Sequence, residues 1–284
     1  MSGPIRLAVP NKGRLQDPAS SLLGQAGLVY EKTERALSVP VRNVALELLF
    51  VRTEDVCEMV ADGAAHLGIT GLDLLAESGA SLEVAAELAF GTCRLTAAVP
   101  NASPVEDLAG LAGLRVATAH PRITSAFFAD KGVPVTTIAL RGSVEVAPKL
   151  DLADAIVDLV SSGSTMKVNG LRPVATILES QAVLVTASAE PSQETAQVIT
   201  MLRAVVAARR KRYLLMNAPR SALDAIEAII PGFDAPSIVP LAHDPTMVAV
   251  HSVVDADEVW QVLPRLKVAG ASGILVLPIE QLIP

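Results

Sequence analysis

The sequence lacks most of the features that would mark a membrane, secreted, metal-ligating or nucleic-acid-binding protein. No apolar run reaches the ~18 residues that a membrane-spanning helix needs. The first twelve residues, ending Ala8-Val9-Pro10-Asn11-Lys12, hold too short an apolar stretch for a signal peptide. A cytoplasmic home and no membrane partner follow. Only two cysteines occur, Cys57 and Cys93, too far apart for a metal-ligand pattern. Both read as reduced, buried thiols. His66, His120, His243 and His251 also lack ligand spacing. Walker A, dinucleotide-fingerprint, nucleophile-elbow and zinc signatures are all missing. Positive charge is not in excess: the formal net charge is −7, which disfavours a nucleic-acid partner. The one basic cluster, Arg209-Arg210-Lys211-Arg212, falls at the end of an expected helix, where cations favour the dipole.

What is present is a long apolar chain. It has 284 residues, 51% of them hydrophobic, and a mean hydropathy of +0.44, enough for two or three domains. Short apolar strands alternate with helical patterns in its first part. Strands are expected at 5–9, 46–51 and 67–70, with helices at 19–27, at 53–62 capped by Thr53, and from 73. A second set has strands at 115–118, 135–140 and 155–160 and helices at 124–131 and 144–150. Alternation of this kind implies mostly parallel, doubly wound sheets. The segment Pro100-Asn101-Ala102-Ser103-Pro104 reads as a crossover, and the strand at 182–187 as a return to the first lobe. The expected division is lobe one over 1–97, rejoined by about 181–195, and lobe two over 98–180. Residues 196–284 form a linker helix (194–212) and a third domain. Its strands at 213–216, 237–241, 247–253 and 273–277, with helices at 221–230 and 255–269, give the order βαββαβ. Asp255 and Glu258 have capping-box spacing.

The most informative stretch is Asp158-Leu159-Val160-Ser161-Ser162-Gly163-Ser164-Thr165. A buried strand ends in small hydroxyl and glycine residues, and a helix-compatible run follows over 166–171. Such a turn aims several backbone N–H groups at one point, and the helix dipole adds partial positive charge there. It can bind a phosphate without lysine; Gly163 lets the backbone approach closely. Asp158 would repel that anion, so it suits sugar hydroxyls or a Mg²⁺ shared with the ligand. Phosphate, hydroxyls and metal together suggest a phosphorylated ribose. The same turn is also compatible with a plain run of capping residues.

Ligands of open α/β sheets sit at the carboxyl ends of strands. There the sequence places Lys12 and Arg14, Arg52, Gly71 and Asp73, His120 and Glu145. Lys12, Arg14 and Arg52 would give an anionic ligand three cations on one side of a cleft. Each of them would also pass as an ordinary surface charge.

Glu145-Val146-Ala147-Pro148 and the run from Leu152-Ala153-Asp154 to Thr165-Met166 resemble the signature of ATP phosphoribosyltransferases, which open histidine biosynthesis. Asn11-Lys12-Gly13-Arg14-Leu15, Val51-Arg52-Thr53-Glu54-Asp55, Gly68-Ile69-Thr70-Gly71 and the tail Gly270 to Glu280 resemble the same family. The resemblance implies an α/β fold: two doubly wound lobes of periplasmic-binding-protein type plus a C-terminal ferredoxin-like domain, the family's long form. It implies attack of ATP N1 on C1′ of 5-phosphoribosyl 1-pyrophosphate (PRPP), with Mg²⁺ bound and pyrophosphate leaving. It implies a homo-oligomer, dimer to hexamer, inhibited by histidine. By resemblance, Ser161, Ser162, Gly163, Ser164 and Thr165 hold the 5′-phosphate and Asp158 the ribose hydroxyls, with Asp154 nearby. Lys12, Arg14 and Arg52 meet pyrophosphate or triphosphate oxygens. Gly71 and His120 line the substrates, while Asp73 and Glu145 lie near the metal or nucleotide. Asn217, Ser237 and Gly273 form the histidine site.

Two positions depart from the family pattern. Asp151 stands where glycine is usual, and a positive φ there would be tolerable for aspartate. His120 stands where tyrosine is common, which alters any stacking on adenine. Two rival readings are a two-lobed solute-binding or sensor protein without chemistry, and a short catalytic subunit that needs a separate regulatory partner. The missing signal peptide opposes the first, and the complete βαββαβ tail opposes the second.

Overall fold

The computed structural model describes residues 3–31, 36–161, 164–232 and 235–283, with backbone alone at Ser164 and Thr165. The chain divides into two compact units, Met1–Ser21 with Val29–Thr195, and Leu22–Leu28 with Ala196–Pro284.

The first unit holds two sheets. In chain order come β1 (Ile5–Pro10), α1 (Gln16–Gln25), β2 (Ser38–Pro40), β3 (Leu46–Val51), α2 (Val56–Ala61), β4 (Leu67–Gly71), α3 (Leu72–Ser78) and β5 (Glu83–Glu87). There follow β6 (Cys93–Pro100), β7 (Arg115–Thr118), α4 (Pro121–Asp130), β8 (Thr136–Ala139), β9 (Ala155–Val160), α5 (Ser164–Val168), β10 (Leu171–Ser180) and β11 (Ala182–Thr186). Sheet one runs β2-β3-β1-β4-β11-β5, and sheet two runs β10-β6-β9-β7-β8. Leu7, Ala8 and Val9 of β1 and all of β11 are buried, as expected for strands covered on both faces. Strand β3 instead alternates, burying Leu46, Leu48 and Phe50.

Several expectations need correction. Both sheets are mixed: three parallel strands (β3-β1-β4 and β9-β7-β8) are flanked by antiparallel ones. Strand β6 pairs with β9 and β10 in sheet two, so the first crossing lies ahead of Cys93 and not at 97 or Pro100–Pro104. The return crossing is a single residue, Gln181, between β10 and β11. Thr53 does not cap a helix. It begins a 3-10 turn, Thr53–Asp55, whose N-cap is Arg52 without a side-chain bond. The helix expected at 144–150 is also 3-10 in form, with Pro148 inside it, where an α-helix would lose a backbone bond. Helix α5 stops at Val168, and Leu171 already opens β10.

Asp151 ends that 3-10 segment in the left-handed region, with φ 57. Its fully exposed carboxylate lies 3.3 Å from Arg115. Relief of a left-handed side chain outweighs loss of an exposed ion pair. Asp151→Gly is therefore expected to hold stability or raise it by up to ~1 kcal/mol, whereas Asp151→Val should lower it by about 1–2 kcal/mol. Urea unfolding midpoints of the two variants check this.

The second unit carries α6 (Gln193–Arg209), β12 (Lys211–Pro219), α7 (Leu223–Glu227), β13 (Ser237–Pro240), β14 (Met247–Asp255), α8 (Val259–Val268) and β15 (Ser272–Pro278). Its antiparallel sheet, β13-β14-β12-β15, has ferredoxin-like order. Leu214, Met216, Val248 and Val250 face a core shared with Ile226, Val262 and Leu266. The alternate residues, among them Leu215, Asn217 and His251, form the other, more open face. Only Arg209 of the basic cluster ends the helix; Lys211 and Arg212 are strand. The capping box is not formed, because Asp255 ends β14 and pairs with Lys211 at 3.0 Å.

Candidate active site

Strand ends of both sheets in the first unit meet at a cleft of about 760 Å³. Sheet one brings Lys12 and Arg14 after β1, Arg52 after β3 and Asp73 after β4. Sheet two brings His120 after β7, Arg141 after β8 and Leu159 of β9. Arg141 was missed in the sequence, although the strand-end rule that selects the others applies equally to it.

Asp73 is the hub of the cleft floor. Its side chain is 1% exposed, and Oδ1 accepts from Arg14 at 2.9 Å and from Ser180 Oγ at 2.5 Å. The Asp73 N–H donates back to Ser180 Oγ at 3.0 Å. The Arg14 fork is completed by its second nitrogen donating to the Gly91 carbonyl. Oδ2 stands 3.5 Å from His120 Nε2, too long for a well-formed bond. Burial alone would raise the Asp73 pKa; contacts from His120 and Ser180 and the charges of Arg14 and His120 hold it below the usual carboxylate range. A Cβ on residue 71 would overlap Asp73 Oδ1, so Gly71 makes room for the hub. Of the Asp73 carboxylate expected near a metal or nucleotide, Oδ1 is committed to Arg14 and Ser180, while Oδ2 has no hydrogen-bond partner. No sequence signal points to Ser180, which lies 107 residues away on β10.

Among the described residues, four buried side-chain atoms lack a hydrogen-bond partner: Asn11 Oδ1, Asp73 Oδ2 and both ring nitrogens of His120. All sit on strand ends beside this cleft. Buried polar atoms are normally satisfied, so their clustering here marks a place prepared for a ligand. His120 is 5% exposed, which restricts it to edge contacts and rules out an open stacking platform.

Asp158 of β9 and Glu145 of the 3-10 segment 144–150 form a second acidic element. Burial raises the Asp158 pKa, and the nearby charge of Glu145 raises it further, against the Leu159 N–H at 2.8 Å and the charge of His120. Two neighbouring, partly buried carboxylates are a natural seat for a hard cation, which takes one or two carboxylates and completes its shell with phosphate oxygens. Among the described residues no group of three potential ligands occurs, so substrate oxygens would have to supply the rest. Ser161 is exposed beyond the end of β9. Ser162 and Gly163 lie outside the described residues, as do the side chains of Ser164 and Thr165.

Asp154 does not join the cleft. It accepts from the Arg115 N–H at 2.9 Å, from Nε at 3.1 Å and from the guanidinium terminus at 2.8 Å. This pair locks the amino ends of β7 and β9, the edge of the sheet opposite the ligand side. Glu77, unflagged in the sequence, ties the lobes: its carboxylate accepts from the Arg122 and Ile123 N–H groups at the start of α4, both at 2.9 Å.

In the second unit, Asn217 pairs in register with Ser272, and its amide lies 3.8 Å from where a Cβ of Gly273 would sit. Ser237 sits on β13, two strands from Asn217 on β12, so one protomer does not bring all three together. Among the described residues no helix is long and apolar enough to cross a membrane.

Comparison with known proteins identifies the family. The ATP phosphoribosyltransferase family model matches residues 52–206, and the model of that family's C-terminal domain matches residues 208–281. An ATP phosphoribosyltransferase of Gemmatimonas aurantiaca is 45% identical, over 99% of this chain and 100% of its own length. That of Natronomonas pharaonis is 46% identical over the same shares. The structure of an ATP phosphoribosyl transferase (HisG:HisZ) complex from Thermotoga maritima superposes with a TM-score of 0.62 and 28% identity, covering 72% of this chain and 98% of that one. A histidine kinase sensor domain with similarity to periplasmic binding proteins gives a TM-score of 0.50 at 12% identity, over 73% of this chain and 90% of that one, which shows the fold alone. With both family domains present and full-length relatives above 40% identity, the chain belongs to the ATP phosphoribosyltransferase family in its long form, a pentosyltransferase of the first step of histidine biosynthesis.

Proposed function

We propose that PRPP binds against sheet two and ATP in the cleft shared with sheet one, and that histidine inhibits through the second unit. The observation that carries the catalytic part is the clustering of orphaned buried polar atoms at strand ends that also hold the cations. Residues 161–165 hold the 5′-phosphate at the end of β9, and Asp158 accepts from the ribose hydroxyls. Adenine N1 is a neutral nucleophile, so the bond to C1′ forms without a strong general base. The C1′–O bond breaks as it does, and its electron pair leaves with pyrophosphate. What this chain must do is hold two anionic substrates in line and stabilise charge on the leaving group. Lys12 and Arg52 meet phosphate oxygens directly. Arg14 does so from a position set by Asp73 and Gly91. His120 offers its unpaired ring nitrogens to the nucleotide. The family's divalent metal, Mg²⁺ in this reading, would be held by Asp158 and Glu145 and would supply neutralising charge at the pyrophosphate. Gly71, Asp73 and Asp154 act through their neighbours.

Residues 196–284 serve as the regulatory part, and the enzyme works in the cytoplasm as a homo-oligomer between dimer and hexamer. Asn217 and Gly273 of one protomer and Ser237 of its partner would complete a site for a zwitterionic amino acid. This is supported by the separation of Ser237 from the other two within a single sheet. An inhibitor that favours a closed assembly must also stabilise that assembly. Histidine is therefore expected to lower turnover with ATP and PRPP and to shift the full chain to larger species in ultracentrifugation. A chain ending at Arg212 should lose the inhibition. Unchanged turnover and unchanged sedimentation of the full chain with histidine would overturn the regulatory reading and leave the catalytic one standing.

A further inference from the structure

We infer that Arg141 is the residue of sheet two that grips the triphosphate of ATP and so sets the enzyme's preference among adenine nucleotides. The inference rests on the placement of PRPP proposed above and adds a residue to it.

Arg141 lies just past β8, where the Leu140 N–H still bonds to the Thr118 carbonyl at 2.8 Å. The chain then turns through Gly142 at φ 150 and Ser143 at φ 50. Glycine is required at 142 by that conformation alone, since nothing crowds a Cβ there. The turn leaves Arg141 exposed on the cleft wall, and it is the one lysine or arginine that sheet two contributes to the cleft among the described residues. Sheet one contributes Lys12, Arg14 and Arg52, but Glu54 and Asp55 line the same side. Arg14 is in addition already bonded to Asp73 and Gly91. The side of sheet one is thus partly neutralised, and the cation opposite has weight out of proportion to its number.

Strand order determines which anion Arg141 meets. Sheet two runs β9-β7-β8 across the site. The ribose phosphate belongs at the end of β9, and His120 follows β7. The end of β8 lies two strand spacings from the end of β9, about 10 Å. Adenine N1 and the triphosphate are at opposite ends of ATP. With N1 held at the ribose in front of β9, the triphosphate must lie away from that strand, and the end of β8 offers it a guanidinium. An arginine fork suits phosphate oxygens better than a lysine point charge does.

Arg141→Gln and Arg141→Lys test this, with steady-state kinetics in both substrates and calorimetry of PRPP binding. The expected result for Arg141→Gln is an ATP KM raised about tenfold to a hundredfold. The PRPP KM and PRPP affinity should stay within twofold. ADP and ATP should become nearly equal as competitors, and the salt dependence of the ATP KM should weaken. Arg141→Lys should recover part of the loss. An ATP KM within twofold of the parent, or an equal rise in both KM values, overturns the inference, as does a rise confined to PRPP. Calorimetry on the parent separates the two levels of the argument: if the parent binds PRPP normally and only the ATP prediction fails, Arg141 alone is misassigned. An unaltered melting temperature is expected, because the side chain is exposed.

Discussion

Asp158→Asn is expected to lower kcat/KM for PRPP by roughly 10²–10⁴-fold while leaving the fold as stable as before, or more so. The carboxylate would accept from two ribose hydroxyls, and hydrogen bonds to a charged group are worth about 1.5–3 kcal/mol each. Stability moves the other way because Asp158 is partly buried, beside Glu145, with its pKa raised. A carboxyl whose pKa rises on folding binds its proton more tightly in the folded state. Stability therefore falls as pH climbs from the ordinary carboxylate value through the raised one, and it stays lower above both. Asparagine removes that penalty. The acid limb of PRPP binding should lie above the usual carboxylate range in the parent and vanish in the variant. Calorimetry of PRPP binding across pH, with melting temperature alongside, makes the comparison. Parental affinity and turnover in Asp158→Asn would sink the assignment.

Asp73→Ala should be among the most destabilising single changes near the cleft, by about 3–5 kcal/mol. It strips a buried acceptor from Arg14 and Ser180. For a unit of this size that is a fall in melting temperature of roughly 6–20 °C. Its pH signature is opposite to that of Asp158. The Asp73 pKa is lowered on folding, so its contribution is present above the ordinary carboxylate value and lost as pH falls through the depressed one. The parent should therefore gain stability between those two values as pH rises, and Asp73→Asn should lose that gain. Turnover should drop in both variants, because Arg14 loses one of its two anchors. A different outcome would point to a metal role: a melting temperature near the parent's together with activity recovered by added Mg²⁺. That result would overturn the hub.

Much of this was legible in the sequence, and the exceptions have physical causes. Strands β1, β3 and β9 show in their apolar runs and alternation, and the ferredoxin-like order shows in its spacing. Strand β10 hides because two register shifts, at Pro173/Ala175 and Thr176/Leu178, break the period-two pattern. Strand β5 is short, with only Val84, Ala85 and Ala86 apolar between two glutamates. In the site, the strand-end rule finds Lys12, Arg14, Arg52, Asp73 and His120, because topology alone brings those positions together. It says nothing about direction. Asp73 points inward to Ser180, a partner on a strand that the sequence does not reveal. Asp154 is near the motif in sequence, yet it precedes β9 and so lies at the amino edge of the sheet, bonded to Arg115.

The position of β11 between β4 and β5 also imposes an order of events during synthesis. Strand β5 has no partner in sheet one until β11 is made. At about 5–20 residues per second, the 99 residues from Leu88 through Thr186 take the ribosome roughly 5–20 s. Over that interval the whole of sheet two, from Cys93 to Ser180, emerges as one continuous segment and can close. The lobe begun first is thus the one finished last, and its open edge at β4 must be kept from other nascent chains until the lobe made after it is complete.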